Sequence, residues 1–223
     1  MNDIWENIFT GQSWGKYPGE ELIRFIARNF YCAKQRDKIR IIEIGCGPGA
    51  NLWFLAREGF SFVGIDGSES AIRQAAERLD SECPGWRERG ELHVGNVGNI
   101  PYEDETFDAV IDNECVCCND FESSLKIYDE AGRVLRQDGK IFVRTFATGT
   151  WGEGTGVKIG SSAWLCSEGP LQGKGLARFT QFEEISKLLR SFENISIELI
   201  TNSSNERKNV IKEWIICGDK LTR

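Results

Sequence analysis

Five residues in the first quarter of the chain have the composition of a ligand-binding turn: Gly45-Cys46-Gly47-Pro48-Gly49. The turn comes directly after a run of β-branched apolar residues, 39–44, that is typical of a buried strand. Glycine has no Cβ, so the backbone of such a turn can approach a bound molecule closely. A glycine turn between a strand and a helix therefore indicates a nucleotide-type pocket, although a tight turn without any ligand is the alternative.

An acidic residue, Asp66, ends the next apolar run, residues 60–65. A carboxylate at this point can accept hydrogen bonds from both hydroxyls of a ribose, and the turn and the acid together are stronger evidence than either alone. In dinucleotide-binding proteins the third glycine follows the second by three residues, and the helix after the turn receives a pyrophosphate. This chain instead has the spacing G-x-G-x-G, which departs from the dinucleotide pattern.

Three thiols stand close together in Cys115-Val116-Cys117-Cys118. The spacing C-x-x-C can bind a metal or metalloid or carry redox chemistry. A closed zinc site needs further ligands, but no second cysteine pair exists and the sole histidine, His93, belongs to another segment. We therefore predict no metal site, and small apolar packing near the pocket is the favoured interpretation.

The elements that must position these residues follow from the apolar periodicity. It predicts strands over residues 39–44, 60–65, 91–94, 107–112 and 140–145, and helices over residues 20–30, 50–58, 68–79 and 123–135. Alternating strands and helices imply a parallel sheet that binds its ligand beyond the carboxyl ends of the strands. Near the end of the chain, Thr180 and Glu183 predict a capping box for a helix to about Leu189. Residues 195–200 and 210–217 then alternate as two strands of a hairpin.

These elements predict an α/β fold, a doubly wound and mainly parallel seven-stranded sheet with a C-terminal antiparallel hairpin. With 223 residues, of which 40% are hydrophobic, the chain can bury one sizeable core. We expect a single domain over residues 1–223, with an N-terminal cap segment at 1–38 and a long loop at 145–178. Such a loop is unusual inside a compact domain.

The charge and hydropathy of the chain restrict the classes of partner that we expect. The net charge is −7, which argues against a nucleic-acid partner. No stretch approaches the roughly 18 apolar residues of a membrane span, and the first residues lack the pattern of a signal peptide. We expect a cytoplasmic protein without membrane partners, whose eight cysteines are reduced thiols.

Several motifs together resemble the class I S-adenosylmethionine-dependent methyltransferase family, small-molecule type, from about Arg40 to Cys217. The matching segments are residues 43–49 for its first motif, 64–68 for the ribose motif, 95–97, 100–102 and 107–110 for the adenine motif and fourth strand, and 133–140 for the turn into the fifth strand. The terminal hairpin is also similar to that of the family. The resemblance implies the Rossmann-like methyltransferase fold, S-adenosylmethionine as cofactor and a transferase activity.

The resemblance also implies which residues contact the cofactor. They are Glu43, Gly45, Cys46, Gly47, Gly49, Asp66, Gly67, Ser68, Asn96, Val97 and Asn113. Asn96 departs from the family, which usually has an acid there to accept the adenine amino group; an amide oxygen is a weaker acceptor. A turn residue between Gly95 and Val97 is the alternative for Asn96. Tyr17 or Arg24 is expected to meet the carboxylate of the cofactor, with an ordinary packing helix as the alternative.

The reaction itself mainly needs an in-line approach of a nucleophile in a dry site, because a sulfonium methyl donor is already activated. Where the acceptor must lose a proton, a carboxylate can remove it. We predict Glu114 and Asp112 as catalytic, since the family's acceptor groups lie at the end of the fourth strand. A solvated strand end is the alternative.

The acceptor is expected to be a small molecule covered by the loop 145–178, whose aromatic residues include Trp151 and Trp164. Two other functions share the glycine turn and the acid. A nicotinamide-dependent oxidoreductase is opposed by the G-x-G-x-G spacing and the hairpin. A noncatalytic module that binds S-adenosylmethionine has the same fold and motifs, because fold does not establish turnover.

Overall fold

The structure is a computed structural model that describes residues 3–12 and 14–222. The helices of this part of the chain are α1 (Asp3–Gly11), α2 (Glu20–Phe30), α3 (Ala50–Glu58), α4 (Glu69–Glu82), α5 (Phe121–Val134) and α6 (Phe182–Leu188). The strands are β1 (Arg40–Ile44), β2 (Ser61–Asp66), β3 (Gly90–Val94), β4 (Phe107–Asn113), β5 (Leu135–Phe146), β6 (Val157–Gly160), β7 (Ala163–Leu165), β8 (Leu176–Arg178), β9 (Phe192–Ser204) and β10 (Asn209–Lys220). None of the described helices is long and apolar enough to cross a bilayer.

The main sheet has seven strands in the order β3-β2-β1-β4-β5-β10-β9. The first five run parallel, while β10 runs antiparallel to both β5 and β9. The predicted fold class, including the terminal hairpin, is therefore confirmed. Ile44 of β1 lies opposite Ile65 of β2 and Asp112 of β4, so these three strands end at the same edge of the sheet. That register brings the glycine turn, Asp66 and the end of β4 together.

Both faces of the sheet are covered by helices. Ile42 and Ile44 of β1 belong to a buried cluster that includes residues of α5 and α6, while Ile41 packs with residues of α2 and α3. Because the central strands are buried on both faces, their sequences are nearly continuous apolar runs rather than alternating ones. This is why β1, β2 and β4 were predictable to within a residue or two.

The last helix begins one residue later than predicted. Its N-cap is Gln181, whose backbone N–H donates to Glu184 Oε2 at 3.0 Å, so the capping box uses Gln181 and Glu184 instead of Thr180 and Glu183. Thr180 is still paired with Ala147 in an isolated β-bridge, which holds its backbone in an extended conformation. The strands of the hairpin are also longer than predicted.

The segment at 145–178, expected to be a long loop, contains secondary structure of its own. Strands β6, β7 and β8 form a small antiparallel sheet, and β5 extends to Phe146. Each of the three strands is only three or four residues long, which is too short for alternation to be recognised among so many glycines. The N-terminal segment likewise contains α1, which was not predicted.

The first glycine of the turn is required by packing as well as by backbone conformation. Gly45 has φ +64°, and a Cβ added there would lie 2.2 Å from Cys115 Sγ. The turn and the residues after β4 therefore pack in direct contact. Any side chain at position 45 would have to displace Cys115 while also adopting a left-handed conformation.

Gly45→Ala is expected to lower the free energy of unfolding by about 1–3 kcal/mol, from backbone strain and overpacking together. Gly15→Ala is the matched control, because nothing lies within 4 Å of a Cβ at Gly15 and its φ is not positive. We expect the control to stay within about 0.5 kcal/mol of the unsubstituted protein. Urea denaturation of both variants measures this difference, and equal midpoints would contradict the packing described here.

Candidate active site

A cavity of about 620 Å³ lies beyond the carboxyl ends of the parallel strands. Its walls come from the turn after β1, the ends of β2 and β4, and the segment after β3. Ten of the thirteen residues predicted to bind the cofactor line this cavity: Glu43, Gly45, Cys46, Gly47, Asp66, Gly67, Ser68, Asn96, Val97 and Asn113. The structure therefore brings together motifs that are separated by up to 70 residues in the chain.

Asp66 and the glycine turn are in direct contact. The N–H of Gly47 donates to Asp66 Oδ2 at 2.8 Å, and the N–H of Ser68 donates to Asp66 Oδ1 at 2.9 Å. Burial raises the pKa of Asp66, while these backbone donors oppose the shift. Each carboxylate oxygen can accept a second hydrogen bond, so Asp66 retains acceptor capacity for the hydroxyls of a ribose.

Glu43, at the end of β1, has one carboxylate oxygen without a partner. Its side chain is 3% exposed; Oε1 accepts from Asn51 Nδ2 at 2.6 Å, while Oε2 is buried without a protein donor. Burial raises the pKa of Glu43 to about 8. A buried acceptor on a cavity wall that lacks a partner fits a ligand with a cationic donor. S-adenosylmethionine carries such a donor in its ammonium group, so the residues present fit this cofactor.

Asn96 lines the cavity from an Asx turn. Its Oδ1 accepts from the N–H of Gly98 at 2.8 Å, which is the local turn role considered as the alternative to adenine binding. The two roles are compatible, because an amide oxygen has two lone pairs and the Nδ2 group remains a donor. Val97 lines the same part of the cavity.

Three of the predicted cofactor residues, Gly49, Tyr17 and Arg24, do not line the cavity. Gly49 is the N-cap of α3, where it has φ +79° and packs against Ala75 of α4. Tyr17 is 70% exposed, and its ring lies against Trp53. Arg24 pairs with Glu20 at 2.6 Å on the exposed face of α2, opposite the face that this helix buries. The expectation that Tyr17 or Arg24 meets the carboxylate of the cofactor is therefore not supported by their positions.

Asp112, predicted to be catalytic, is fully buried and does not line the cavity. Its Oδ1 accepts from the N–H groups of Cys115 and Val116 at 3.0 and 3.1 Å, and its Oδ2 accepts from the Tyr128 hydroxyl at 2.7 Å. Burial raises its pKa to about 6. The carboxylate thus fixes the turn after β4 and does not line the cavity, so a catalytic role for Asp112 stays a prediction that its position does not support.

Glu114, the other predicted catalytic residue, does line the cavity. It has φ +64°, and its Oε1 lies 3.2 Å from Arg144 Nε. Arg144 also donates from Nε and Nη2 to the two oxygens of Glu213, at 2.9 and 2.7 Å. Burial and the neighbouring Glu213 carboxylate raise the pKa of Glu114 to about 8. Glu114 can therefore hold a proton at neutral pH and exchange it at the edge of the cavity.

The cavity is covered by residues that the motifs do not include. Trp5 and Phe9 of α1 lie with ring centroids 5.6 Å apart, and Trp14 packs on Phe9 at 5.3 Å. Glu6 holds α1 in place, since it accepts from the hydroxyls of Ser68 and Ser70 at 2.5 Å, and these bonds lower its pKa to about 2. The spacing of four residues between Trp5 and Phe9 was the available signal for this helix.

The opposite part of the cover comes from the segment between β7 and β8. Pro170, Leu171 and Lys174 line the cavity there, together with Phe146 at the end of β5. Trp151 and Trp164, the aromatic residues expected to cover the acceptor, do not line it. Trp164 instead packs against Phe179, and Trp151 Nε1 donates to Glu168.

Three of the thiols, those of Cys46, Cys115 and Cys118, also line the cavity. Burial raises the pKa of Cys46 and of Cys115, so both are neutral thiols at physiological pH. No group of three or more side chains of the kind that ligate a metal ion occurs among the described residues. The role of the cysteine cluster as small apolar packing stays a prediction.

Comparison with known proteins places these features in a family. Residues 35–167, more than half of the chain, match the family described as methyltransferase domain. The chain is 28% identical over 129 residues to norajmaline N-methyltransferase of Rauvolfia serpentina, covering 57% of the chain and 42% of that protein. It is 33% identical over 96 residues to 18S rRNA (guanine-N(7))-methyltransferase of Bos taurus, covering 42% of the chain and 31% of that protein. The match thus spans less than half the length of these relatives.

The fold is also similar to that of a solved SAM-dependent methyltransferase from Methanosarcina mazei. The TM-score is 0.68 at 23% identity, and the superposition covers 82% of this chain and 93% of the other. The family match and the shared fold agree with the site built by the glycine turn, Asp66 and Glu43. The chain belongs to the methyltransferase-domain family, and its cofactor is S-adenosylmethionine.

Proposed function

We propose that this chain transfers a methyl group from S-adenosylmethionine to a small-molecule acceptor by in-line displacement. The observation that carries the proposal is the hydrogen bond between the N–H of Gly47 and Asp66 Oδ2, in the wall of a cavity whose lining also includes Glu43, a residue with one unpartnered carboxylate oxygen. The backbone of the glycine turn, Asp66 and Glu43 thus lie together beyond the carboxyl ends of the strands, where folds of this kind bind their ligands.

In this proposal, different residues of the cavity bind different parts of the cofactor. Asp66 accepts from the ribose hydroxyls, Asn96 and Val97 hold the adenine, and Glu43 accepts from the ammonium group. The backbone of Gly45, Cys46 and Gly47 lies along the cofactor, with Gly67, Ser68 and Asn113 completing its surroundings. When bound, S-adenosylmethionine supplies an activated methyl group on a sulfonium, so the protein's main tasks are to orient the acceptor and exclude water.

Glu114 is the proposed base for acceptors that must lose a proton. Its carboxyl group lines the cavity, and the proton that it holds near neutral pH can pass to or from an acceptor there. Arg144 and Glu213 hold the carboxyl in place, and the positive charge of Arg144 favours its ionised form. The carboxylate is the form that accepts a proton, so this role is strongest above the pKa of about 8.

Two features support a small molecule as the acceptor. Aromatic residues of α1 and the segment around Leu171 both line the cavity, which suits an acceptor that can be enclosed. The net charge of −7 opposes binding of an RNA backbone, although the relative from Bos taurus is named for 18S rRNA. A cytoplasmic location remains a prediction alongside this acceptor class.

The cofactor assignment is tested by calorimetry with S-adenosylhomocysteine and with NAD. We expect binding of S-adenosylhomocysteine and none of NAD. Asp66→Asn should lower the affinity for S-adenosylhomocysteine by about ten- to a hundredfold, because it removes the charged hydrogen-bond acceptor. Glu69→Gln, one turn away on the exposed start of α4, should leave the affinity unchanged. Binding of NAD alone, or an undiminished affinity in Asp66→Asn, would refute the assignment.

Glu43 makes cofactor binding depend on pH. Its pKa of about 8 in the free protein means that binding of an ammonium group must expel a proton, so affinity should rise with pH, by up to about tenfold per unit, and level off above about pH 8. Calorimetry of S-adenosylhomocysteine from pH 6 upward, in buffers of different ionisation enthalpy, measures both effects. Glu43→Gln should flatten the profile, whereas Glu69→Gln, outside the cavity, should not; a pH-dependent affinity that survives unchanged in Glu43→Gln would exclude Glu43 as the ammonium partner.

The acceptor class is tested with S-adenosylmethionine labelled in its methyl group. The protein is incubated with either an ultrafiltered metabolite extract or total RNA from the same cells, and Asp66→Asn serves as the inactive control. We expect label in the small-molecule fraction with the unsubstituted protein only. Label in the RNA fraction would overturn the small-molecule acceptor, and label in neither, together with intact cofactor binding, would favour the noncatalytic module.

A further inference from the structure

Lys174 stands at the boundary between the two parts of the cavity cover. It ends a turn in which its N–H donates to the carbonyl of Leu171 at 3.2 Å, and Gly173 and Gly175 on either side have φ of +71° and +81°. Its ammonium group lies 4.8 Å from the centroid of the Trp14 ring, within the range of a cation–π contact. The left-handed glycines thus turn a half-buried lysine from the segment after β7 toward α1.

The charges around the cavity give this lysine a specific importance. Among the described residues that line the cavity, Lys174 is the one cationic side chain, whereas Glu43, Asp66 and Glu114 are acidic. The acids suit the ammonium and sulfonium of S-adenosylmethionine, but the cofactor also carries a carboxylate that needs a cationic or N–H donor. Tyr17 and Arg24, the residues expected to supply it, lie outside the cavity.

The packing connects Lys174 to the cofactor end of the cavity. Trp14, beneath its ammonium group, packs on Phe9, and Phe9 Cζ lies 3.5 Å from the position of a Cβ on Gly47. From the other side, the charge of Lys174 acts on Glu114, the residue that follows β4. The lysine is thus placed between the cover over the glycine turn and the strand end beside Asn113.

We propose that Lys174 binds the carboxylate of S-adenosylmethionine, a role that rests on the proposed function of the site. The ammonium group would exchange part of its contact with Trp14 for a charge-assisted hydrogen bond to the cofactor. One consequence is that the segment after β7 takes part in cofactor binding as well as in covering the acceptor. Binding of the cofactor would then also hold this segment against α1.

The experiment compares S-adenosylmethionine with decarboxylated S-adenosylmethionine, which lacks only the carboxylate, by calorimetry on the full chain. Lys174→Met should lower the affinity for S-adenosylmethionine by about ten- to a hundredfold and the affinity for the decarboxylated compound by less than about twofold. Lys174→Arg should retain most of the affinity, because it keeps the charge. Lys158→Met is the matched control. Lys158, in β6, also lies over a tryptophan, Trp164 at 5.5 Å, but it does not line the cavity.

Thermal denaturation of each variant establishes that it is folded before affinities are compared. An equal loss for both compounds in Lys174→Met would overturn the proposal, because it would indicate a packing role in the cover. An unchanged affinity for S-adenosylmethionine would overturn it too, because the carboxylate would then have another partner. Failure of the unsubstituted protein to bind S-adenosylmethionine at all is a different result, which would refute the proposed function itself.

Discussion

The hydrogen bond from the N–H of Gly47 to Asp66 Oδ2 is the contact on which the cofactor site depends. A buried carboxylate must find donors, and here they come from backbone that the parallel register of β1 and β2 places beside it. The left-handed conformation at Gly45 and Gly47 shapes the turn that delivers this N–H group. The hydrogen bond therefore requires three things together: the register of β1 and β2, the left-handed glycines of the turn, and the burial of Asp66.

The carboxylates at this edge of the sheet differ in function because they differ in partners. Asp112 accepts three hydrogen bonds and is fully buried, so it fixes local structure. Glu43 has one oxygen bonded to Asn51 and one buried oxygen without a protein donor, which fits a cationic ligand. Glu114 shares Arg144 with Glu213 and holds a proton near neutrality. Asp112, within β4, and Glu114, just after it, are both acids at the same edge of the sheet, so only the three-dimensional contacts separate them.

This difference explains how far the sequence could predict the site. Residues on or just after buried strands, such as Glu43 and Asp66, were predictable because apolar runs locate the strands and parallel strands end at one edge. For Arg24 the sequence could not decide a role, because helical periodicity defines the buried face of α2 but not which residues near its exposed face reach a ligand. The place of Lys174 in the cavity lining was not predicted, because it depends on left-handed glycines within a segment whose three short strands carry no readable period.

The cover of the cavity is built from segments far apart in the chain, and this arrangement has a functional consequence. Gly175 packs close to Ile4 of α1, and Lys174 lies over Trp14, so the two parts of the cover touch each other above the strand ends. Under the proposed function, this contact would limit the access of water to a methyl donor bound in the cavity. Neither part belongs to the main sheet, but α1 is tied to the cofactor end of the cavity, because Glu6 accepts from the hydroxyl of Ser68 and the N–H of Ser68 donates to Asp66. Under the proposed function, a change in the cover would therefore alter cofactor binding as well as acceptor choice, through Glu6 and through Lys174.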